Sequence, residues 1–239
     1  MIPIDSDFGN KRLHVVTPCC RPDNLRTIGM SFAAMNAWSV RKNGQFDLKW
    51  WIVLDMNRLS VDDVNKVALD ISNLPCCQHQ TATILLNKSK GSAGHQHRNF
   101  VLDILEERNE KGWFYSVDDD NIIHENFHEV IEELKDGVTA VVVNQILKNG
   151  EPNRSPVDNT TPLIATPENM KVFFVDTGQA IFNLEKIKGM RFEQDKYNAD
   201  GLFVEKLFNK EGNFAFINKD LSYYNYLEPN NQQFSIEKI

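Results

Sequence analysis

Short apolar runs alternate with longer stretches whose apolar residues recur at helical spacing, and this rhythm fills the first half of the chain. Leu13-His14-Val15-Val16-Thr17, stopped by Pro18, predicts a strand. Residues 24–40 place Leu25, Ile28, Phe32 and Met35 on one helical face, with Asn36 beside that stripe. Leu48-Lys49-Trp50-Trp51-Ile52-Val53-Leu54 predicts a buried strand ending in Asp55. Ser60 is placed to cap a helix through Leu69, with Asp63 in its first turn. Thr83-Ile84-Leu85-Leu86 is a third strand, and residues 93–108 form a helix with Phe100, Leu102, Ile104 and Leu105 apolar. A fourth strand, Trp113-Phe114-Tyr115-Ser116-Val117, runs into Asp118, Asp119 and Asp120.

Strands alternating with helices predict an α/β fold, a mostly parallel sheet with helices on both faces. Ligands of such sheets bind at the carboxyl ends of the strands. Asp55 and the three consecutive aspartates should therefore face one crevice, which makes a nucleotide site the first expectation.

The second half is less regular. Ala140-Val141-Val142-Val143 is a strand, and residues 149–169 form a long polar stretch carrying Pro152, Pro156, Pro162 and Pro167. Such a connection inside a compact domain points to function, with a disordered surface insertion as the alternative. An apolar strand at 172–175, a helix near 200–208 and a last strand at Phe214-Ala215-Phe216-Ile217 follow, then a polar tail after Pro229. No internal repeat interrupts this order.

The composition narrows the function classes. With 41% hydrophobic and 25% charged residues among 239, the chain is an ordinary globular one. Its net charge of -7 argues against a nucleic-acid partner. No apolar run approaches the roughly 20 residues of a membrane span, and the start, MIPIDSDFGNKR, lacks a signal-peptide core. A cytoplasmic protein is the expectation. The vicinal pairs Cys19-Cys20 and Cys76-Cys77 read as reduced thiols, and Cys77 with His79 lacks a C-x-x-C corner.

Two metal chemistries compete over residues 114–130. His124-Glu125-Asn126-Phe127-His128 matches the H-E-x-x-H zinc pattern, which needs both imidazoles on one helical face. Asn126 followed by Glu129 has capping-box spacing, so a helix starting there would leave His124 outside it. Three adjacent carboxylates at a strand end are costly unless a cation or solvent relieves them. Magnesium or manganese bridging a diphosphate suits such oxygens, although a wet, Asp-rich helix-capping turn is the alternative.

These segments resemble the nucleotide-sugar glycosyltransferases of GT-A fold, and among them glycosyltransferase family 43, the glucuronyltransferase and xylan-synthesis group. Val15-Val16-Thr17-Pro18 looks like the family's opening strand and Trp51-Ile52-Val53-Leu54-Asp55 like its second. Arg98-Asn99 with Leu102 resembles its Q-R-N-x-A-L helix, Asp118-Asp119-Asp120-Asn121 its D-D-D-N signature, and Asp176-Thr177-Gly178-Gln179-Ala180-Ile181 its D-M-A-G-F-A turn. The likeness implies a Rossmann-like, mostly parallel sheet with a smaller acceptor-binding half. One catalytic domain would span 1–239, with a nucleotide-binding half at 1–121 and an acceptor-binding half at 122–239.

Carried over by position, the resemblance implies a metal-dependent inverting hexosyl- or pentosyltransferase that moves sugar from a UDP-sugar to a glycan hydroxyl. Asp55 would bond the uracil, Arg98 the nucleotide or donor sugar, Asp118 the ribose and Asp119 the donor sugar. Asp120, closing the DXD motif, would ligate Mn2+ or Mg2+, and Asp176 would face the acceptor. Turn-forming roles for Asp55 and Asp176 and a surface ion pair for Arg98 are the alternatives. The family's base falls in the segment here occupied by Tyr197-Asn198-Ala199-Asp200-Gly201; Asp200 is the candidate, with Asp195 and Glu193 as alternatives. Asp200 could instead cap the following helix. Two departures stand out. Lys90-Gly91-Ser92 replaces an arginine-glycine-valine, and Tyr223-Tyr224-Asn225-Tyr226 replaces a histidine-bearing strand, which favours a neutral sugar such as xylose, glucose or galactose. A zinc metalloprotease and a catalytically inactive carbohydrate-binding relative remain the other classes.

Overall fold

A computed structural model describes residues 12–41, 47–74 and 80–228. Cys76, Cys77, His79, the N-terminal stretch through Lys11 and the tail after Pro229 lie outside them.

Seven strands form one sheet in the order β3-β2-β1-β4-β6-β5-β7. They are β1 (Arg12–Cys19), β2 (Asp47–Asp55), β3 (Gln80–Asn87), β4 (Trp113–Ser116), β5 (Ala140–Ile146), β6 (Ala180–Asn183) and β7 (Phe214–Tyr223). Only β6 runs against the others, pairing antiparallel with both β4 and β5. The helices are α1 (Leu25–Arg41), α2 (Val61–Ser72), α3 (His95–Glu107), α4 (His128–Glu132) and α5 (Ala199–Glu211).

Side chains alternate across a strand, so a buried sheet needs an apolar layer on each face. Leu13 and Val15 of β1 and Trp50, Ile52 and Leu54 of β2 pack with Leu25, Ile28 and Phe32 of α1 and with Phe127 and Val130. Val16, Trp51 and Val53 turn to the opposite face, against Val101 and Leu102 of α3 and Phe203, Val204 and Leu207 of α5. Strand order reverses between β1 and β4, with α1 and α3 on opposite faces. That reversal is a switch point, and it opens a crevice at the carboxyl ends of the strands.

Three elements differ from the sequence-based expectation. Pro18 does not stop β1, which pairs with β2 through Pro18↔Val53 and Cys19↔Leu54. Val16 O accepts from Val117 N on the β4 side, so by alternation the missing N–H of Pro18 faces that side, beyond the end of the β1–β4 ladder at Val16↔Ser116. Residues 172–175 form a turn rather than a strand, because both edges of β6 are already taken. A Cβ on Gly201 would come 3.0 Å from Val172 Cα, so only glycine lets α5 lie this close to that turn. Finally, Asn126 is not the N-cap of α4. Phe127 takes that place without a side-chain cap, while Asn126 N donates to His124 Nδ1 (3.1 Å) within the preceding turn.

Ser60 does cap α2. Its hydroxyl accepts from Asp63 N, and the Asp63 carboxylate returns the bond to Ser60 N.

Candidate functional site

The chain after β4 leaves the sheet at the switch point, and Asp118, Asp119 and Asp120 turn into a cavity of about 350 Å³. Asp55, Arg98, Asp176 and Asp200 line the same cavity. The crevice thus gathers Asp55, the three consecutive aspartates, Asp176, Asp200 and Arg98, but not the alternative acids Glu193 and Asp195. The reversed strand explains how Asp176 arrives: the amino end of β6 lies beside the carboxyl end of β4, with Tyr115 opposite Ile181.

The three aspartates have different surroundings. Asp118 pairs with the Arg98 guanidinium, and burial raises its pKa, with Asp176 and Asp119 adding to the rise while Arg98 opposes it. Asp119 is spent on the loop after β1: it accepts from the backbone N–H groups of Cys20 (2.6 Å) and Arg21 (2.7 Å) and from the Arg21 guanidinium (2.6 Å). Asp120 accepts from the same guanidinium (2.8 Å). Burial first, then Asp118, pushes its pKa up to about 7.

Arg98 is a buried cation rather than a surface ion pair, with 2% of its surface exposed. It donates to Ser116 Oγ (2.7 Å) and to Ala93 O (2.6 Å), and it meets His95 Nδ1 at 3.0 Å. A buried charge needs this full set of partners to be tolerated. Gly94, the N-cap of α3, makes the approach possible: its φ is +74°, and a Cβ there would come 2.7 Å from Pro18 Cβ. His95 stacks on Phe192, and burial and Arg98 lower its pKa to about 3, so it is neutral.

Asp55 closes β2 as a turn acid, accepting from Asn57 N (3.0 Å), while its other oxygen lies 3.5 Å from Arg58 Nε. His97 Nε2 is 3.9 Å from that oxygen, and burial lowers the pKa of this imidazole. Gln96 Oε1 and His97 Nδ1 are buried without hydrogen-bond partners, although both residues line the cavity.

On the far wall, Asp176 caps the 3-10 turn Thr177–Gln179 through Gly178 N (2.7 Å) and accepts from Gln145 (3.2 Å). Asp200 does not cap α5; Asn198 holds that position without a side-chain bond. Burial, then the charge of Asp176 and a hydrogen bond with it, raises the Asp200 pKa well above the ordinary carboxyl range. Glu193 and Asp195 are exposed, and Glu193 pairs with Lys196 (2.7 Å). The segment leading into α5 is bonded to α3, since Asn99 donates to Phe192 O and accepts from Phe192 N, both at 2.8 Å.

Residues from the 149–169 stretch also reach the cavity, with Asn153, Arg154, Pro156 and Asn159 on its rim. Asn153 donates to Gln145 (2.7 Å), and an isolated bridge joins Arg154 to Pro162. Arg21 escaped sequence reasoning, whereas Tyr197 and Tyr224, named there only within their segments, both line the cavity. Only a basic residue just past a strand's carboxyl end, as in Cys20-Arg21-Pro22, offered a signal.

Oxygen-only donors make a hard divalent cation the fitting metal. Asp118 and Asp120 fit it, because both carboxylates are held in the crevice with raised pKa values that added positive charge would relieve. No trio of His, Cys, Asp or Glu converges as a complete cage among the described residues, so diphosphate and water oxygens would fill the remaining positions. His124 precedes the short α4 and tilts against Tyr223 at 5.0 Å, so the H-E-x-x-H residues do not share a helical face. Cys19 is buried and Cys20 half-buried, both as free thiols.

No protein-family model and no curated protein sequence matches the chain. Among solved structures, it is similar to a mannosyltransferase from Pyrobaculum calidifontis in complex with GDP-Man and Mn2+. The TM-score is 0.57 at 13% identity, covering 92% of this chain and 58% of that one. The likeness shows a GT-A-type fold. Mouse xyloside xylosyltransferase 1 in its apo form overlaps more loosely, with a TM-score of 0.37, 12% identity, and coverage of 87% of this chain and 78% of that chain. No helix among the described residues is long and apolar enough to cross a membrane.

Proposed function

We propose that the protein is a metal-dependent, inverting glycosyltransferase that moves a sugar from a UDP-sugar to a hydroxyl of a glycan acceptor. The convergence of Asp118, Asp120, Asp176 and Asp200 on one switch-point cavity carries the reading. Six aspartates line this cavity against four guanidiniums, those of Arg21, Arg58, Arg98 and Arg154, which leaves it with an excess of acids. A divalent cation arriving with a nucleoside diphosphate supplies what is missing.

In this reading Asp55 bonds the base, Arg98 and Asp118 hold the ribose side, and Asp119 keeps the loop after β1 against the donor sugar. Asp120, with Asp118, would hold Mn2+ or Mg2+, which when bound offsets the charge of the departing diphosphate. Asp176 faces the acceptor and orients Asp200. Ionised Asp200 takes the proton of the acceptor hydroxyl as that oxygen bonds the anomeric carbon. The bond from this carbon to the diphosphate oxygen breaks, and its electron pair leaves with the nucleoside diphosphate. A raised pKa makes Asp200 the stronger base once ionised. Tyr197 and Tyr224 both line the cavity, and burial raises the pKa of each phenol further, which suits an uncharged sugar such as xylose, glucose or galactose.

The test is a panel of UDP-sugars, with GDP-Man beside them, scored for Mn2+-dependent protection against heat and for turnover. Asp120→Ala should abolish metal-dependent UDP binding in a folded protein, and unchanged affinity would sink the assignment. Asp200→Asn should keep donor binding while turnover falls by about 100-fold or more. A carbohydrate-binding relative without transfer activity would show no metal-dependent UDP affinity at all.

A further inference from the structure

The Arg21 guanidinium lies between two acids of the triplet. One terminal nitrogen donates to Asp119 (2.6 Å) and to Asp120 (2.8 Å), and the other sits 3.0 Å from Glu228. The backbone of the same loop is tethered separately, since the N–H groups of Cys20 and Arg21 both donate to the second oxygen of Asp119. The side chain is thus free to leave while the loop stays. It is also 43% exposed, in contrast to the enclosed Arg98. The contact on Asp120 uses Oδ2, an oxygen that a ligating carboxylate would offer to a metal.

We propose that Arg21 is a built-in counter-cation that occupies the divalent-metal position of the free protein, so that a metal binds Asp120 only by displacing this guanidinium. The inference rests on the metal-dependent reading above. A monovalent organic cation and a hard divalent ion compete for the same carboxylate oxygen, and like charges this close repel. Metal affinity in the absence of nucleotide is consequently weakened by the protein itself. The displaced guanidinium remains beside the cavity, where a diphosphate would give it a new anionic partner. Metal and nucleotide therefore bind well together and poorly apart.

The experiment measures Mn2+ alone, by the electron paramagnetic resonance of the free ion, against the wild type, Arg21→Met and Arg21→Lys. Arg21→Met should bind Mn2+ at least tenfold more tightly than the wild type. Arg21→Lys, which keeps one charge but loses the planar fork, should fall between them. A merely structural arginine predicts the opposite sign, because losing it would loosen Asp120. Equal or weaker Mn2+ binding by both variants overturns the proposal, and if the methionine variant does not fold, the lysine variant decides alone. Should that happen while wild-type UDP binding still requires Mn2+, only the role of Arg21 falls. If no variant binds Mn2+ with or without UDP, the metal-dependent reading falls and takes this inference with it.

Discussion

Replacing Asp120 with asparagine should make the metal-free protein more stable in neutral solution. Burial and Asp118 hold the Asp120 pKa near 7, against an ordinary carboxyl value of 3.8. A group whose folded-state pKa lies above its unfolded value binds its proton more tightly when folded, so stability falls as pH rises between those two values. The window here is roughly pH 4 to 7. At about 1.4 kcal/mol per pKa unit, ionised Asp120 costs about 4 kcal/mol in full, of which roughly 2–3 kcal/mol is lost between pH 5 and 8. Asparagine retains an acceptor oxygen for Arg21 and carries no charge. Thermal unfolding in EDTA should then show Asp120→Asn melting about 5–10 °C above the wild type at pH 8, with the gap narrowing toward pH 5. Saturating Mn2+ should close the gap from the other side by stabilising only the wild type. Parallel melting curves for the two proteins from pH 5 to 8 would refute the charge argument.

Turnover should rise with pH as Asp200 ionises, and Asp176→Asn should shift that rising limb to lower pH, because Asp176 is the named neighbour that raises the Asp200 pKa; an unmoved pH–rate profile would deny the pair. Gly94→Ala should destabilise the fold by about 1–3 kcal/mol in urea titration, since the position has a positive φ and a Cβ would strike Pro18. Metal analysis of purified protein should find no stoichiometric zinc; zinc lost on His128→Ala would reverse the choice of metal. Deleting residues 153–161 should reduce transfer far more than UDP binding, and hydrogen exchange there should slow only with donor and acceptor both present; transfer at the original rate would leave the stretch a bystander.

Strand and helix periods made the first half of the chain legible, because each buried strand there carries an apolar run and each helix a stripe. The same periods misjudged Pro18, since local sequence does not reveal which neighbouring strand has already ended. They also misjudged residues 172–175, whose apolar character serves a turn packed under α5, and the start of α4, where spacing between Asn126 and Glu129 does not fix a cap. The acids at strand ends could be placed in one crevice from topology alone. Asp200 is the candidate over Glu193 and Asp195 from its segment, but that it alone of the three lines the cavity follows only from the actual course of the chain. Arg21 was invisible for the same reason: its partners lie almost a hundred residues away in sequence, with |i−j| of 98 and 99.

The paired hydrogen bonds between the Asn99 side-chain amide and the Phe192 backbone have a bearing on how such a protein could be re-engineered. Through them, the helix that carries Arg98 also carries the segment that delivers Asp200. In the proposed reading, donor recognition and proton removal thus share one piece of scaffold and would tolerate little independent alteration. The 149–169 stretch is held by different contacts, with Asn153 and Leu163 both bonded to Gln145 of β5. If the proposed function holds, grafting alternative loops between those two anchors is the route by which acceptor range can be diversified while the reaction chemistry stays intact.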